Sequence, residues 1–373
     1  MSAAIPHPSM FLSGTQTDTI RHAAAEAEQL RDLHPDQLTT IRSGRWFNMF
    51  VPKEYCGLEL SLPEGIRIEE CLSWADGSTG WVITLCSGAA WFVGFLNATV
   101  AKEFFSDASA CFAGSGAPSG TAETIENGYE VSGHWKYASG SLHATAFTAN
   151  CVLAKDGAPV LGTDGIPMIR SFLFKKEEVT LNKRWNGMGM IATGSHEFLV
   201  EKIQVPHNRS FIIDPKHAAL KHALYQYPFL QLAETTLTAN LSGMAIRFID
   251  LCEPIFEDRI KYKQYSNAET LFLRKKLSVA TQTINECRQS FYDHLDWSWN
   301  VLAEKKNIPD AQLRELSNSS QALARISRWV VDDLYQYCGL LAANSGTEIN
   351  RVWRNFHTAC QHDLFIRQNF INP

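Results

Sequence analysis

The middle of this 373-residue chain contains the run GYEVSGHWKYASG at residues 128–140. Short β-prone segments lie at residues 129–132, within this run, and at residues 147–153, 169–174 and 197–200, separated by glycine and asparagine turns. Glycine and serine accumulate from residue 110, and the β-prone signals fade after residue 206. The sequence therefore predicts a compact β domain over residues 107–224.

Helical patterns flank this region on both sides. Apolar residues recur at helical spacing over residues 15–42 and 63–76, with Asp18 as a candidate cap of the first helix, and residues 80–95 read as a buried helix. These segments predict an N-terminal α domain over residues 1–106. Longer helical patterns cover residues 227–256, 268–302 and 310–343, and helices of this length need partners. A helical bundle is therefore expected over residues 225–373, with apolar faces that invite oligomerisation.

Segregated helices and strands indicate an α+β fold and exclude a doubly wound one, in which the two alternate. No G-x-G-x-x-G motif opens a helix, so a nicotinamide site of the common type is not expected. A net charge of −5 gives no electrostatic footprint for nucleic acid.

Two further features bear on the environment of the protein. Nine cysteines without a C-x-x-C pair indicate free thiols in a reducing compartment, and the N-terminus lacks a basic and apolar signal, so the cytoplasm is expected. Residues 77–101 contain no charged side chain and are long enough to span a bilayer. Their serines, threonines and glycines favour a buried helix, and no membrane association is expected.

Histidines and arginines concentrate in the run RVWRNFHTACQHD at residues 351–363. Histidine exchanges protons near neutral pH, so two of them beside fixed cations suit general acid/base chemistry. His357 and His362 are five residues apart, which places them on different faces of a helix. A two-histidine zinc site needs a spacing of four, so no metal is expected here.

Four stretches together resemble the acyl-CoA dehydrogenase superfamily along nearly the whole chain. The first is ADGSTGW at residues 75–81, and the second is GSGAPSGTA at residues 114–122. The third combines residues 128–144 with WNGMGMIATGSH at residues 185–196. The fourth is the run at residues 351–363. The resemblance implies an N-terminal α domain, a middle β-barrel or sandwich and a C-terminal four-helix bundle, assembled as a homotetramer.

The last stretch resembles the R-x-W-R-D-x-H-T-A-x-Q-H pattern of oxygenase components of two-component flavin monooxygenases, such as 4-hydroxyphenylacetate and steroid-phenol hydroxylases. This chain departs from the pattern with Asn355 for the usual aspartate and Cys360 for a small residue. The resemblance implies a reduced flavin, FMN or FAD, delivered by a separate reductase. It also implies hydroxylation of a small aromatic or heteroaromatic substrate with O₂.

The resemblance also implies roles for individual residues. His362 is expected as the catalytic base, and Ser139 as the hydroxyl that holds the flavin near N5. Arg351 is expected to help in positioning. Further cofactor contacts are expected from Trp135, Tyr137, Gly116, Thr193, Ser195 and Arg354, and substrate positioning from Trp81 and His357.

Two alternatives stay open at this point. One is an acyl-CoA dehydrogenase with bound FAD, in which Asp363 is the base that removes the α-proton. The other is a non-catalytic member of the superfamily that serves as a flavin-binding module.

Overall fold

The computed structural model describes residues 5–366 and begins with a group of helices. They are α1 (Gly14–Leu30), α2 (Pro35–Gly44), α3 (Leu62–Ala75), α4 (Gly77–Ala90) and α5 (Ala98–Phe104). Ser13, rather than Asp18, caps α1, because its hydroxyl accepts from the Gln16 amide while the Gln16 side chain accepts from the Ser13 amide. Asp76 separates α3 from α4, and its carboxylate caps α4 by accepting from the Thr79 amide at 2.9 Å.

The segment from α4 onwards is the apolar stretch noted in the sequence. Among the described helices, Gly77–Phe95 passes a test of length and hydropathy for a bilayer span, and 78% of that window is buried inside the protein. A core helix of this composition passes the same test.

The strands form one eight-stranded sheet in the order β6-β7-β2-β1-β3-β5-β8, with β4 paired to β3. The pair β1/β3 is parallel, and the other pairs are antiparallel. The strands are β1 (Phe112–Ile125), β2 (Gly128–Ala138), β3 (Ala146–Lys155), β4 (Ala158–Pro159), β5 (Ile169–Lys175), β6 (Thr180–Asn182), β7 (His196–Pro206) and β8 (Ser210–Phe211). A core of its own covers one face of the sheet, including Trp135, Phe147 and Phe198.

Helices return after the sheet, and the three longest fall close to the predicted segments. They are α6 (Ala223–Gln226), α7 (Phe229–Lys263), α8 (Asn267–Ala303), α9 (Asp310–Tyr335), α10 (Leu340–Ala343) and α11 (Glu348–Ala359). The pattern predicted at 310–343 is interrupted after Tyr335, where the chain turns through Gly339 with a φ of 68°. A left-handed φ of this kind favours glycine.

The helices before and after the sheet share one hydrophobic core. A buried ion pair reinforces this contact: both carboxylate oxygens of Glu70 on α3 accept from the Arg288 guanidinium on α8, at 2.9 and 2.8 Å. The hydroxyls of Tyr292 on α8 and Ser242 on α7 also donate to this carboxylate. Because every charge is paired, the network holds the N-terminal helices firmly against the C-terminal ones.

Candidate active site

Trp81 brings together two predicted catalytic residues from distant parts of the chain. Its indole Nε1 on α4 donates a hydrogen bond to Ser139 Oγ at 3.1 Å. The same ring meets the imidazole of His362 edge-on, with ring centroids 6.0 Å apart. Trp81, Ser139 and His362 therefore form one cluster, built from α4, the end of β2 and the segment after α11.

Two more predicted residues extend this cluster through their hydroxyls. Ser139 Oγ lies 2.7 Å from Ser195 Oγ, and Ser195 Oγ lies 2.6 Å from Thr193 Oγ1. Thr193 Oγ1 donates to the backbone carbonyl of Met190 at 2.7 Å. All three hydroxyl-bearing residues are at most 5% exposed. We call this path from Trp81 to the Met190 carbonyl the hydroxyl chain.

Backbone contacts hold the two loops of the hydroxyl chain in register. The Gly140 amide donates to the Thr193 carbonyl at 2.8 Å, and the Ser141 hydroxyl donates to the Gly194 carbonyl at 2.7 Å. Gly140 has a φ of 75°, and a Cβ there would lie 2.5 Å from Cys86 Sγ, so only glycine suits this close approach to α4.

Asn355 on α11 is a residue that the sequence singled out only as a departure from a pattern. Its side-chain oxygen accepts from the Met190 amide at 2.6 Å, and the residue is 1% exposed. The Met190 carbonyl accepts from Trp185 Nε1 at 2.7 Å as well as from Thr193. Asn355 thus fixes the peptide on which the hydroxyl chain ends, and an asparagine oxygen accepts there as the aspartate of the pattern would.

His362 is partly buried and neutral in this environment. Burial lowers the pKa of His362 below its ordinary value, against an opposing effect of Asp363. The backbone amide of Leu364 donates to Nδ1 of His362 at 3.3 Å. A neutral ring that accepts through Nδ1 carries its proton on Nε2, so His362 offers a hydrogen-bond donor at that atom.

Tyr137 and Gly116 lie on the surface of the β region. Tyr137 is 67% exposed with a φ of 67°, next to an irregularity in the pairing of β2 with β7, and its ring meets Trp185 edge-on. Gly116 is exposed on β1, where the pairing with β3 shifts between Ser115 and Gly120. A bulky aromatic ring is therefore presented to solvent beside the buried Ser139.

The structure does not bring Trp135 to the cluster. Trp135 is 0% exposed, its ring stacks on Phe198 with centroids 5.1 Å apart, and its Nε1 donates to the Asn150 carbonyl at 3.0 Å. Its indole belongs to the core of the sheet. The expected cofactor contact through this ring is therefore corrected to a packing role.

Arg354 also differs from its expected role, because four of its five guanidinium N–H groups donate within the protein. It pairs with both carboxylate oxygens of Glu28 on α1, at 2.6 and 2.9 Å. It also donates to the side chain of Asn350 at 2.7 Å and to the carbonyl of Met188 at 2.9 Å. In this arrangement Arg354 ties α11 to α1 and to the loop before Met190, and it presents no free donor pair for a cofactor.

His357 lies on α11, whereas His362 lies in the turn after this helix ends at Ala359, so the two histidines do not share a helix as the spacing argument assumed. Its Nε2 lies 3.2 Å from Asp332 Oδ1 on α9, without hydrogen-bond geometry, and its ring packs on Trp353. Burial lowers the pKa of His357, while Asp332 opposes the shift. The structure therefore places His357 against α9 rather than beside Trp81.

Arg351 faces the start of α4. It is 9% exposed, and its charge lowers the pKa of the buried Asp76 against the larger raising effect of burial. Its position supports the cap of the helix that carries Trp81. Within residues 5–366 no three His, Cys, Asp or Glu side chains gather closely enough to hold a metal ion.

One stripe along α4 and the turn after it is partly exposed beyond the buried Trp81. Trp81 lies 9% exposed at its start, and Leu85, Gly88 and Phe92 are partly exposed while the residues between them are buried. These positions recur at helical spacing, and a Cβ on Gly88 would meet no atom within 4 Å. The stripe is apolar and begins at the ring that His362 contacts.

Comparison with known proteins shows which families the chain resembles. A model of the acyl-CoA dehydrogenase C-terminal domain matches residues 235–367. The crystal structure of 3-HSA hydroxylase from Rhodococcus sp. RHA1 superposes with a TM-score of 0.87 at 22% identity, over 95% of this chain and 92% of that one. The C-terminal region thus resembles the C-terminal domain of acyl-CoA dehydrogenases, and the chain shares the fold of this hydroxylase.

The curated sequence relatives are flavin-dependent oxygenases. HsaA, the oxygenase subunit of a flavin-dependent monooxygenase from Rhodococcus jostii, is 25% identical over 92% of this chain and 91% of its own. Indole-3-acetate monooxygenase from Pseudomonas putida is 24% identical over 92% of this chain and 87% of its own. Over nearly its whole length the chain is therefore similar to flavin-dependent monooxygenases. The predicted class of function is therefore confirmed.

Proposed function

We propose that the protein is the oxygenase component of a two-component system that hydroxylates a small aromatic or heteroaromatic substrate. It takes up reduced flavin from a separate reductase and uses it with O₂. The observation that carries this proposal is the position of Trp81, which contacts Ser139 on one side and His362 on the other. A hydroxyl suited to a flavin and an imidazole suited to a substrate thereby face one shared aromatic wall.

The residues around Ser139 fit a reduced flavin. Ser139 Oγ accepts from Trp81 and keeps one lone pair, while the exposed ring of Tyr137 lies two residues away as a platform for a planar group. We assign Thr193 and Ser195 to the support of this hydroxyl, and the exposed backbone at Gly116 to the rim. When bound, the reduced flavin supplies the electrons that activate O₂.

Both flavins remain within the proposal. XiaF from Streptomyces was solved with FADH₂ and KijD3 with FMN, with TM-scores of 0.83 and 0.74 to this chain. A separate reductase is proposed because relatives are named as an oxygenase subunit or component. The FMN or FAD preference is open to direct titration.

The proposed role of His362 follows from its protonation. Because its Nδ1 accepts from the Leu364 amide, its Nε2–H is available to a substrate oxygen. A hydrogen-bond donor at Nε2 stabilises a phenolate-like oxygen of the substrate while the aromatic ring of the substrate is hydroxylated. To act as the expected base through Nε2, the ring must first exchange its proton to Nδ1 and give up the Leu364 hydrogen bond.

The substrate class follows from the stripe on α4. Trp81, Leu85, Gly88 and Phe92 offer only apolar contacts, and α4 contains no charged residue. Phe92 continues into a cluster with Phe211 and Phe229, at centroid distances of 5.5 and 5.9 Å. Such a lining favours a flat, small aromatic molecule with its polar group directed to His362.

The proposal also covers the oligomeric state, the domain organisation and the cellular location of the protein. Large apolar side chains lie exposed on the helices after the sheet, including Leu271, Phe272, Val279, Trp297, Trp329 and Leu340. We assign them to a homotetramer interface, because so much exposed apolar surface is unusual for a monomer. We also propose the three-part organisation at 1–106, 107–224 and 225–373, with a β-barrel or sandwich and a four-helix bundle, and a cytoplasmic location.

The experiment that tests the function supplies chemically reduced FMN or FAD, O₂ and a panel of phenols and indoles. Hydroxylated product is quantified together with hydrogen peroxide. The proposal expects product from at least one member of the panel without a reductase present. Consumption of flavin with peroxide as the sole product, for every compound, would contradict it.

A further inference from the structure

The hydrogen bonds of the hydroxyl chain run in one direction. A carbonyl oxygen has no proton, so the 2.7 Å contact between Thr193 Oγ1 and the Met190 carbonyl uses the single hydroxyl proton of Thr193. In the contact of 2.6 Å between Thr193 and Ser195, the proton must then come from Ser195. In the contact of 2.7 Å between Ser195 and Ser139, it must come from Ser139.

The other end of the chain is fixed as well. An indole Nε1–H can only donate, so Trp81 is the donor in its hydrogen bond to Ser139 Oγ. Ser139 therefore receives one hydrogen bond, gives its own proton to Ser195 and keeps a single lone pair. Its hydroxyl presents itself to any ligand as an acceptor and not as a donor.

This polarity has a chemical meaning for a flavin, since N5 carries a hydrogen in the reduced ring and only a lone pair in the oxidised ring. We infer that Thr193 and Ser195 are positioning residues whose directed hydrogen bonds make Ser139 an acceptor, so that the site prefers reduced over oxidised flavin. The inference rests on the proposed function and specifies how the cofactor is chosen. An oxygenase component that must take up reduced flavin and release the oxidised form needs such a preference.

The hydroxyl chain ends at the Met190 peptide, which two side chains hold in place. Asn355 accepts from the Met190 amide, and Trp185 Nε1 donates to the Met190 carbonyl. Met190 has a φ of 53°, a left-handed conformation that is uncommon for a residue other than glycine. The two side chains therefore hold a carbonyl in the orientation that receives the Thr193 proton.

The matched test is Thr193→Val against Thr193→Ser. Valine has the shape of threonine without its hydroxyl, so Ser195 loses its acceptor and turns its proton to Ser139. The Ser139 hydroxyl then no longer donates to Ser195. Its O–H turns toward the ligand, so Ser139 becomes a hydrogen-bond donor to the ligand. Serine keeps the hydroxyl and its direction. Ser195→Ala is the second variant, because it also frees the Ser139 proton without changing Thr193.

The readout is the pair of dissociation constants for oxidised and photoreduced flavin, measured anaerobically with FMN and with FAD. We expect the parent and Thr193→Ser to bind reduced flavin more tightly than oxidised. In Thr193→Val and Ser195→Ala this ratio should fall by roughly tenfold, the scale of one hydrogen bond.

Two results would overturn the inference in distinguishable ways. If Thr193→Val and Ser195→Ala bind both redox forms with the parent's ratio, the direction of the chain does not select the cofactor, although the proposed function stands. If the parent binds neither FMN nor FAD in either redox form, the proposed function fails and the inference fails with it.

Discussion

The imidazole of His362 packs edge-on against the indole of Trp81, with ring centroids 6.0 Å apart and planes inclined at 64°. The same indole donates to Ser139, so one side chain joins the proposed flavin side of the site to its proposed substrate side. Because α4 is held between the sheet and the C-terminal helices, this relationship does not depend on a surface loop alone.

The first prediction separates two roles for His362. His362→Leu should lower the ratio of hydroxylated product to peroxide by roughly ten- to a hundredfold, because a substrate oxygen loses its polar partner. His362→Asn should retain a larger part of the product, because its amide still donates a hydrogen bond. The ratio is measured with reduced flavin supplied chemically. Equal losses in both variants would instead favour a base, since neither side chain takes up a proton.

The second prediction concerns the ion pair between Arg354 and Glu28. Arg354→Met should lower the free energy of unfolding by about 2–3 kcal/mol, because a largely buried carboxylate loses its partner. Adding Glu28→Gln should recover part of this loss. Urea unfolding of the two variants and the parent measures both effects. A stable Arg354→Met variant that no longer binds flavin would return Arg354 to the cofactor role expected from the sequence.

The third prediction uses Glu69, a fully buried carboxyl between α3 and α4. Burial raises the pKa of Glu69 to about 8, although the Ser87 hydroxyl donates to it and opposes the shift. Between its unfolded value of 4.5 and about 8, the folded state holds a proton that the unfolded state has released. The contribution of Glu69 to the stability of the folded state is therefore fully present below pH 4.5. It is lost as the pH rises through this window.

Glu69→Gln removes this titration and keeps the acceptor for Ser87. Its stability relative to the parent should increase as the pH is raised from 5 to 8, by up to about 1.4 kcal/mol per pH unit. Unfolding midpoints at several pH values measure the difference. A difference that is constant over this range would show that Glu69 does not titrate there.

The fourth prediction concerns assembly. Sedimentation velocity at micromolar concentration should show a tetramer, or at least a dimer, because Trp329 and its apolar neighbours on the late helices are exposed in the single chain. Trp329→Glu should weaken the assembly, since it buries a charge in the interface. A parent that sediments as a monomer would contradict the assigned interface.

Much of the fold was predictable from local patterns. The four β-prone runs fall in β2, β3, β5 and β7, and the long helical patterns cover most of α7, nearly all of α8 and the whole of α9. The strand β1 was missed, because its glycine- and serine-rich residues have low β propensity and depend on pairing with β2 and β3.

The site was predictable only in part. Residues two apart on a strand should share a face, yet Trp135 is 0% exposed and Tyr137 is 67% exposed, because the pairing of β2 with β7 is irregular between Trp135 and Ala138. The hydrogen bond from Met190 to Asn355 spans 165 residues, and no local pattern encodes it. The resemblance to a known family pointed to the hydroxyls of Ser139, Thr193 and Ser195. The direction of the hydrogen bonds between them could be derived only from the structure.

The proposed function requires that this site transfers oxygen from O₂ to an aromatic substrate. The most direct test supplies chemically reduced flavin, ¹⁸O₂ and 4-hydroxyphenylacetate, indole-3-acetate or resorcinol, and analyses the products by mass spectrometry. We expect a product that carries one ¹⁸O atom from O₂. Absence of label in every product, together with anaerobic reduction of bound flavin by an acyl-CoA, would contradict the account and support a dehydrogenase with Asp363 as its base.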